Sequence, residues 1–347
     1  TFIILIILYF SLIVGFYLNE DLIGGAFVDY GGHYHISEKF KENFSYTFLS
    51  YSDLGHRHSP IFYILRSIIN LDEVLQRLLF LHIFLLIPIF FYKCLKKIFY
   101  NSPKDLLKLL AFVVLLFPTF RSYSIWPDPH LLGSLFFLIS IYYFLKFKKE
   151  NNLLKNSLLN IFFLALSAYI SPNFSLFAIY FFYEYLLKFK LSKNLIIVTL
   201  LNIFLSLPIL IYLFILDINF IFDNKGWDIG DNFFSLKNFS NKIVIITSLF
   251  FFYLLPFIFL KKFKISNLLK FNSITLVWFL VFIFSCYLFD FSYAFNLTNS
   301  GGGIFYQLSN IIFGNNTLLF FISLISSILI AQLFRYNYKN LIIFLCL

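Results

Sequence analysis

Apolar residues fill the chain in blocks of 14 to 23 residues, and polar residues collect in the gaps between them. Crossing about 30 Å of hydrocarbon takes about 20 residues of helix. The blocks predict spans at 1–18, 76–93, 106–120, 131–146, 157–170, 174–187, 194–216, 243–260, 273–290 and 316–334, with a last stub from 340. Ser171-Pro172-Asn173 interrupts the stretch 157–187, which is read as two helices with a tight turn. The first block lacks a small-residue cleavage site and runs into Asn19-Glu20-Asp21, so an anchor is expected there, not a cleaved signal peptide. The expected fold class is an all-α polytopic membrane protein of about ten to eleven transmembrane helices. Its long first outer loop is expected to carry interfacial helices.

Composition removes the soluble alternatives. Apolar residues make up 60% of the 347, charged residues only 13%, and mean hydropathy is +0.85. A soluble globule carries about 25% charged residues. Half that density cannot clothe a surface of this size in water-compatible groups. A nucleic-acid-binding domain, a secreted disulfide scaffold and a disordered chain are excluded. Cys94, Cys286 and Cys346 sit in or beside apolar blocks without metal-ligand spacing, as small core residues do. The chain has no Met, opens at Thr1 inside one apolar block and ends inside another over 341–347. It is therefore expected to be a single transmembrane domain, 1–347, cut at both ends from something longer.

The net charge of +10 matters through its distribution. Short cytoplasmic loops are enriched in Lys and Arg. Alternate gaps hold Lys93 to Lys108, Lys146 to Lys155, Lys188 to Lys193, Lys261 to Lys270, and Arg335 with Lys339, or 18 of the 27 basic residues. The same gaps hold only Asp105 and Glu150, with Glu184 near a span end, so 14 of 17 acids fall on the other side. The alternation predicts a cytoplasmic N-terminus. Residues 19–75, 121–130, 217–242 and 291–315 then face outward, as in a bacterial inner membrane with its chemistry on the periplasmic side. Five of the six His lie on that side, and no Walker-type phosphate cradle appears anywhere.

Three constellations stand out. The first outer loop opens with Phe27-Val28-Asp29-Tyr30-Gly31-Gly32-His33-Tyr34-His35 and later carries His56-Arg57-His58-Ser59-Pro60-Ile61-Phe62-Tyr63. Helical stretches are expected over 36–44 and 61–71. The second outer loop reads Arg121-Ser122-Tyr123-Ser124-Ile125-Trp126-Pro127-Asp128-Pro129-His130. An acid bracketed by prolines at a span mouth costs free energy unless water or a partner solvates it.

This arrangement resembles the GT-C superfamily, polytopic glycosyltransferases that use polyprenyl-phosphate sugars and include protein O-mannosyltransferases and the aminoarabinose transferases of lipid A. Val28-Asp29-Tyr30 with Tyr34 stands where those proteins carry an acidic motif followed by Tyr. His58-Ser59-Pro60-Ile61-Phe62-Tyr63 stands at their His-Pro-Pro-aromatic stretch, and Trp126-Pro127-Asp128 at their second acid. The resemblance covers roughly residues 1–190. The first motif has a single acid, since position 30 is Tyr, which leaves Glu20 and Asp21 as rival candidates.

The resemblance implies sugar transfer from a polyprenyl-phosphate donor to a lipid, glycan or protein acceptor, probing the outer face without any nucleotide. Asp29 would be the general base and Asp128 would orient the acceptor or assist. Arg57, Arg66 or Arg121 would hold the lipid phosphate, because guanidinium matches phosphate bidentately. His33, His35, His58, His130 and Tyr34 would complete the substrate site. Direct displacement by one base would invert the anomeric carbon. Partners are the lipid-linked donor, its acceptor and membrane lipids, with no nucleic acid.

Plainer roles stand beside these. Asp29 could be an ordinary loop acid, and Asp128 could cap the helix that follows, with Pro129 at its first position. The pairs His33-x-His35 and His56-x-His58 could share a divalent cation, but no third ligand is fixed, so no cofactor or metal site is assigned. His82 reads as a bundle histidine. Gly301-Gly302-Gly303 could be a lid hinge or a turn, and Asp217, Asp223, Asp228 and Asp231 around Trp227 a solvated loop. Other functions of the same shape are an O-antigen-type polymerase or ligase and a polytopic transporter or flippase.

Overall fold

The computed structural model describes residues 2–54, 59–69 and 71–216, with isolated positions beyond. The chain forms two compact units, Thr1–Asp228 and Ile229–Leu347. The regular elements among the described residues are all helical. The expected spans 243–260, 273–290 and 316–334, the stub from 340, and the loops 217–242 and 291–315 lie outside the described residues, isolated positions apart.

Helix α1 (Phe2–Tyr17) shows how the apolar blocks are used. It buries Leu8, Leu12, Gly15 and Phe16 and exposes Ile3, Ile7, Phe10 and Val14. Both sets recur three and four residues apart, on opposite sides of the helix. A bare apolar stripe suits lipid and not water. Its 16 residues reach only about 24 Å.

The stretch 19–75 carries α2 (Ala26–Glu42), α3 (Phe44–Leu49) and α4 (Ile61–Ile68), so the helix expected at 36–44 begins ten residues earlier and breaks at Asn43, and the one expected at 61–71 stops at Ile68. Next come α5 (Glu73–Phe84) and α6 (Leu86–Ile98), then α7 (Lys104–Phe112), a 3-10 turn over Val113–Leu116 and α8 (Pro118–Ile125). The chain continues through α9 (Pro129–Lys149), α10 (Leu153–Ile170), α11 (Phe177–Phe189), α12 (Lys193–Ser206) and α13 (Ile209–Phe214). Four runs among the described residues are long and apolar enough to cross a membrane: Glu73–Ile98, Pro129–Lys149, Leu153–Ile170 and Lys193–Phe214. These make the chain an integral multi-pass membrane protein.

Three expectations need correcting. The block 106–120 is not one straight helix but a pair bent by 64°, Lys104–Leu116 against Pro118–Ile125. Pro118 lacks an N–H and forces Phe117 out of helical geometry, at φ −71° and ψ 127°. The loop expected at 121–130 is mostly α8, leaving only Trp126 to Asp128 between helices. The block 174–187 yields a 3-10 turn over Pro172–Leu176 and a 13-residue helix, which reaches about 20 Å. The break at Pro172 itself is present, with α10 ending at Ile170.

Lipid is as apolar as Leu, so spans adhere through small residues and hydrogen bonds. The α9–α10 pair works this way. Ser167 Oγ donates to the Gly133 carbonyl at 2.8 Å, and Ser140 Oγ donates to the Asn160 carbonyl at 3.0 Å. Asn160 Nδ2 returns a bond to the Ser140 carbonyl at 2.8 Å, and the Tyr185 hydroxyl of α11 donates to Asn160 Oδ1. The contacts step two turns along each helix in opposite directions, as antiparallel packing requires. A Cβ on Gly133 would sit 2.9 Å from Ser171 Cβ, so the close approach needs glycine.

The end of α1 is fastened by two arginines. Asn19 takes the left-handed conformation at φ 53°, and its Oδ1 accepts from Arg77 Nη2 at 3.1 Å. Glu20 receives Arg121 through both oxygens, from Nε at 2.5 Å and Nη2 at 2.6 Å. Arg121 also donates to the Ser11 carbonyl at 2.9 Å. A Cβ at Gly15 would fall 2.3 Å from Glu20 Oε2 and 2.7 Å from Arg121 Nη2. Gly15→Ala and Glu20→Gln are therefore expected to act on the same pair, each costing about 3 kcal/mol, since breaking a buried pair strands a charge. Thermal unfolding of the two variants and their double in detergent checks this. Full additivity in the double would show that Gly15 does not support the pair.

Candidate functional site

Helix α2 buries Ala26, Tyr30, His33, Ser37 and Phe40 at alternating four- and three-residue steps. This face rests on α4, which presents Phe62, Tyr63 and Arg66. Asp29 lies one turn before His33, on the same side of α2 but at its exposed margin. Residues far apart in sequence meet here, because Asp128 stands at the start of α9 against α2.

Asp128 is 4% exposed, and its two oxygens have separate tasks. Oδ1 accepts the His130 N–H at 2.7 Å and caps α9, with Pro129 at the first helical position. Oδ2 faces His33 Nε2 at 3.5 Å. The cap and the contact with His33 thus coexist on one carboxylate. His33 Nδ1 lies 3.1 Å from the Tyr63 hydroxyl. A proton on Nε2, facing the carboxylate, leaves Nδ1 to accept from Tyr63. Burial pushes the Tyr63 hydroxyl far up, so it stays protonated and able to donate.

Burial alone would raise the Asp128 carboxyl. The hydrogen bond from His33, the charges of His130 and His33 and the His130 N–H outweigh it and hold Asp128 below the usual carboxylate range. Asp29 moves the other way. Its partial burial raises it, His33 pulls it down, and the charges of Asp128 and Asp21 push it up again, leaving it above the usual range. Two carboxyls in one field, displaced in opposite directions, is the pattern that separates a base from an orienting acid.

The rival acids are occupied. Glu20 holds Arg121. Asp21 accepts the Gly24 N–H at 2.9 Å and the Phe27 N–H at 3.1 Å, which starts α2. Among the described residues of this group, Asp29 is the acid whose carboxylate takes no hydrogen bond or ion pair.

The basic candidates divide. Arg121 is committed to Glu20, Ser11 and the Leu115 carbonyl, so it serves α1 and offers no open grip on a phosphate. Arg66 is fully buried. It donates from Nε to Gln76 Oε1 at 2.8 Å and from Nη2 to the Tyr30 hydroxyl at 3.0 Å, lies over the rings of Tyr30 and Tyr34, and leaves Nη1 without a partner. Burial lowers the Arg66 guanidinium and raises the Tyr30 hydroxyl to about 12. Arg57 and His58 lie outside the described residues. His35 is exposed, and exposed His130 bonds Ser171 Oγ through Nδ1 at 2.9 Å, tying the site to the α10 turn.

Two participants were missed by sequence reasoning. Tyr63 was quoted only as part of an aromatic motif. Arg77 is the second residue of the apolar block 76–93 and lies one turn into α5, where a charge at a span end is a weak signal. Its guanidinium stacks 3.5 Å from the Trp126 ring centroid and donates to the Ile125 carbonyl at 3.0 Å.

A cavity of about 170 Å³ adjoins this layer, between α10, α12 and α13. Its wall is mainly apolar, with Pro172 and Tyr212 at the edge. Pro172 follows Ser171, the partner of His130, and the Tyr212 hydroxyl lies 2.9 Å from Ser59 Oγ. Among the described residues no three His, Cys, Asp or Glu side chains group to hold a metal ion, and the pair His56-x-His58 lies outside the described residues.

No protein-family model matches the chain, and no curated protein or solved structure matches it either.

Asp128→Asn keeps the helix cap, since Asn caps as well as Asp, but removes the charge facing His33. It is expected to cost about 1–3 kcal/mol at neutral pH, the usual loss for a buried charge-assisted bond. Because the folded carboxyl is held below its unfolded value, its contribution is complete above the unfolded pKa and lost as pH falls through the folded one. Unfolding measured across acidic pH should show that slope in the wild type and a flatter one in the variant. Identical slopes would mean that Asp128 and His33 do not interact.

Proposed function

We propose that the protein is a GT-C-like membrane glycosyltransferase. It transfers a sugar from a polyprenyl-phosphate donor to a lipid, glycan or protein acceptor at the outer face of the membrane. The observation that carries this is the convergence of Asp29, His33 and Asp128 at the mouth of α9, with only Asp29 lacking a structural partner.

The chemistry asks for little else. The acceptor hydroxyl loses its proton to Asp29 as its oxygen attacks the anomeric carbon, and the polyprenyl phosphate leaves with the bonding electron pair. A raised carboxyl suits this task, because proton transfer is most effective when the base approaches the working pH. Asp128 stays ionised, and with His33 it stabilises the proton that Asp29 gains. The exposed His130 and His35, together with Arg57 and His58, are assigned to the donor phosphate. The apolar cavity beside Pro172 accommodates part of the prenyl chain. The alternation of basic and acidic loops supports a cytoplasmic N-terminus and a site on the periplasmic side of a bacterial inner membrane. Ten to eleven spans fit the full pattern of apolar blocks.

The test is sugar transfer by the full-length protein in liposomes supplied with labelled polyprenyl-phosphate sugars. Asp29→Asn is expected to lower turnover by roughly 10²–10⁴-fold, the usual worth of a general base, with the protein still folded. The acid limb of the wild-type pH profile should lie above the usual carboxylate range, since Asp29 must be deprotonated to act. Full turnover in Asp29→Asn would remove the base assignment, and no turnover with any donor would remove the reaction class.

A further inference from the structure

At the end of α9 opposite Asp128 lies a second cleft, formed where α6 and α9 finish side by side. It is open to the surface, has a volume of about 960 Å³ and is lined by Lys93, Lys96 and Lys97 of α6 and Lys149 of α9, and among the described residues no carboxylate lines it. Helix α9 has 21 residues, or about 31 Å of rise, so the cleft and the Asp128 site are separated by about the thickness of the hydrocarbon.

We propose that this cleft binds a phosphate group, and specifically the phosphate headgroup of an anionic phospholipid. Three observations carry it. Two of the four lysines are held by rings and backbone. Lys93 Nζ sits 4.3 Å from the Phe90 centroid, and Lys149 Nζ sits 5.7 Å from that of Tyr100 while donating to the Lys97 carbonyl. Glu150, outside the cleft wall, pairs with Lys97 at 2.6 Å and with Lys146 at 3.4 Å, and among the described residues no other acid pairs with the lining lysines. Lys93, Lys96 and Lys149 therefore leave net positive charge at the cleft.

The cleft is also graded. Positions 89, 92, 93, 96 and 97 form one face of α6, beginning at Ile89 and becoming cationic toward the end of the helix, and Tyr100 follows just beyond it. Tyr92, Tyr100 and Tyr142 stand among the lysines as hydroxyl donors. An apolar floor leading to cations and phenols matches a molecule with a tail and an anionic head. Basic pockets between spans on the cytoplasmic side are a recurrent form of headgroup site. A general excess of lysine on this side would need only charges in loops; here two helices bring them round one cavity.

The experiment measures retention of labelled lipid by the delipidated full-length protein in detergent. Phosphatidylglycerol is compared with phosphatidylcholine, and inorganic phosphate and glycerol phosphate serve as soluble competitors. The double variant Lys93→Gln/Lys96→Gln is compared with Lys188→Gln/Lys190→Gln, which removes equal charge from exposed positions outside the cleft. Phosphatidylglycerol is expected to bind the wild type, and the cleft variant to bind it roughly tenfold or more weakly, at about 1 kcal/mol per lysine. The control variant should bind as the wild type does. Equal loss in both variants would reduce the effect to unspecific attraction and overturn the site. Equal retention of phosphatidylcholine would overturn headgroup recognition. Displacement by soluble phosphate at the same concentration as by lipid would make the ligand a soluble phosphate and overturn the lipid assignment. None of these readouts depends on sugar transfer.

Discussion

A carboxylate almost wholly buried at a helix mouth must be solvated by the protein, and the layer formed by α2, α4 and the start of α9 is organised around doing so for Asp128. One oxygen is satisfied locally, by the first turn of α9. The other needs a donor from elsewhere, and His33 of α2 supplies it. His33 in turn is fixed by Tyr63 of α4, so α2 and α4 of the first outer loop are drawn over α9. The next residue but one, His130, extends the same chain of contacts to Ser171 at the α10 turn. A loop of this length without such anchoring would be free to fray.

The rest of the unit follows the economy of lipid. Burial of apolar surface cannot select one helix partner over another in hydrocarbon, so small and polar side chains do the selecting. Gly133, Ser140, Asn160 and Ser167 set the register of α9 on α10. That register decides where Ser171 lies, and therefore how His130 is held. Packing along α9 and α10 and geometry at the start of α9 are in this sense one problem.

Much of this was legible in sequence because its signals are local. Block length located the long spans, Pro172 marked the break after α10, and the Asp-Pro pair marked the start of α9. Other features were illegible because they depend on what meets what. Nothing near Arg121 reveals Glu20, a hundred residues earlier, so an ion pair that pins α1 could be read as a phosphate grip. Pro118 stood at the end of an apolar block, where a proline often ends a span; only the continuation of α8 beyond it makes a bend. Asp29 and Asp21 look equivalent as loop acids. They differ because Asp21 accepts two backbone N–H groups and Asp29 accepts none among the described residues.

Two arginines beside the site are kept apart from its acids, unlike Arg121, which pairs with Glu20. Asp21, Asp29 and Asp128 share one field around His33, while Arg66 and Arg77 lie around Tyr30 without a carboxylate in contact among the described residues. Pairing them would have been the cheaper way to bury either set. Cation stacking on Tyr30 and Trp126 offsets part of the cost for the arginines, and backbone carbonyl and amide acceptors offset more. What the separation preserves is a field with direction, negative beside Asp29 and positive behind Tyr30. The proposed reaction needs both signs at once, a carboxylate to take the acceptor proton and a positive potential toward which the phosphate can leave. Neutralising Asp29 with a nearby arginine would depress its basicity and cancel that gradient together.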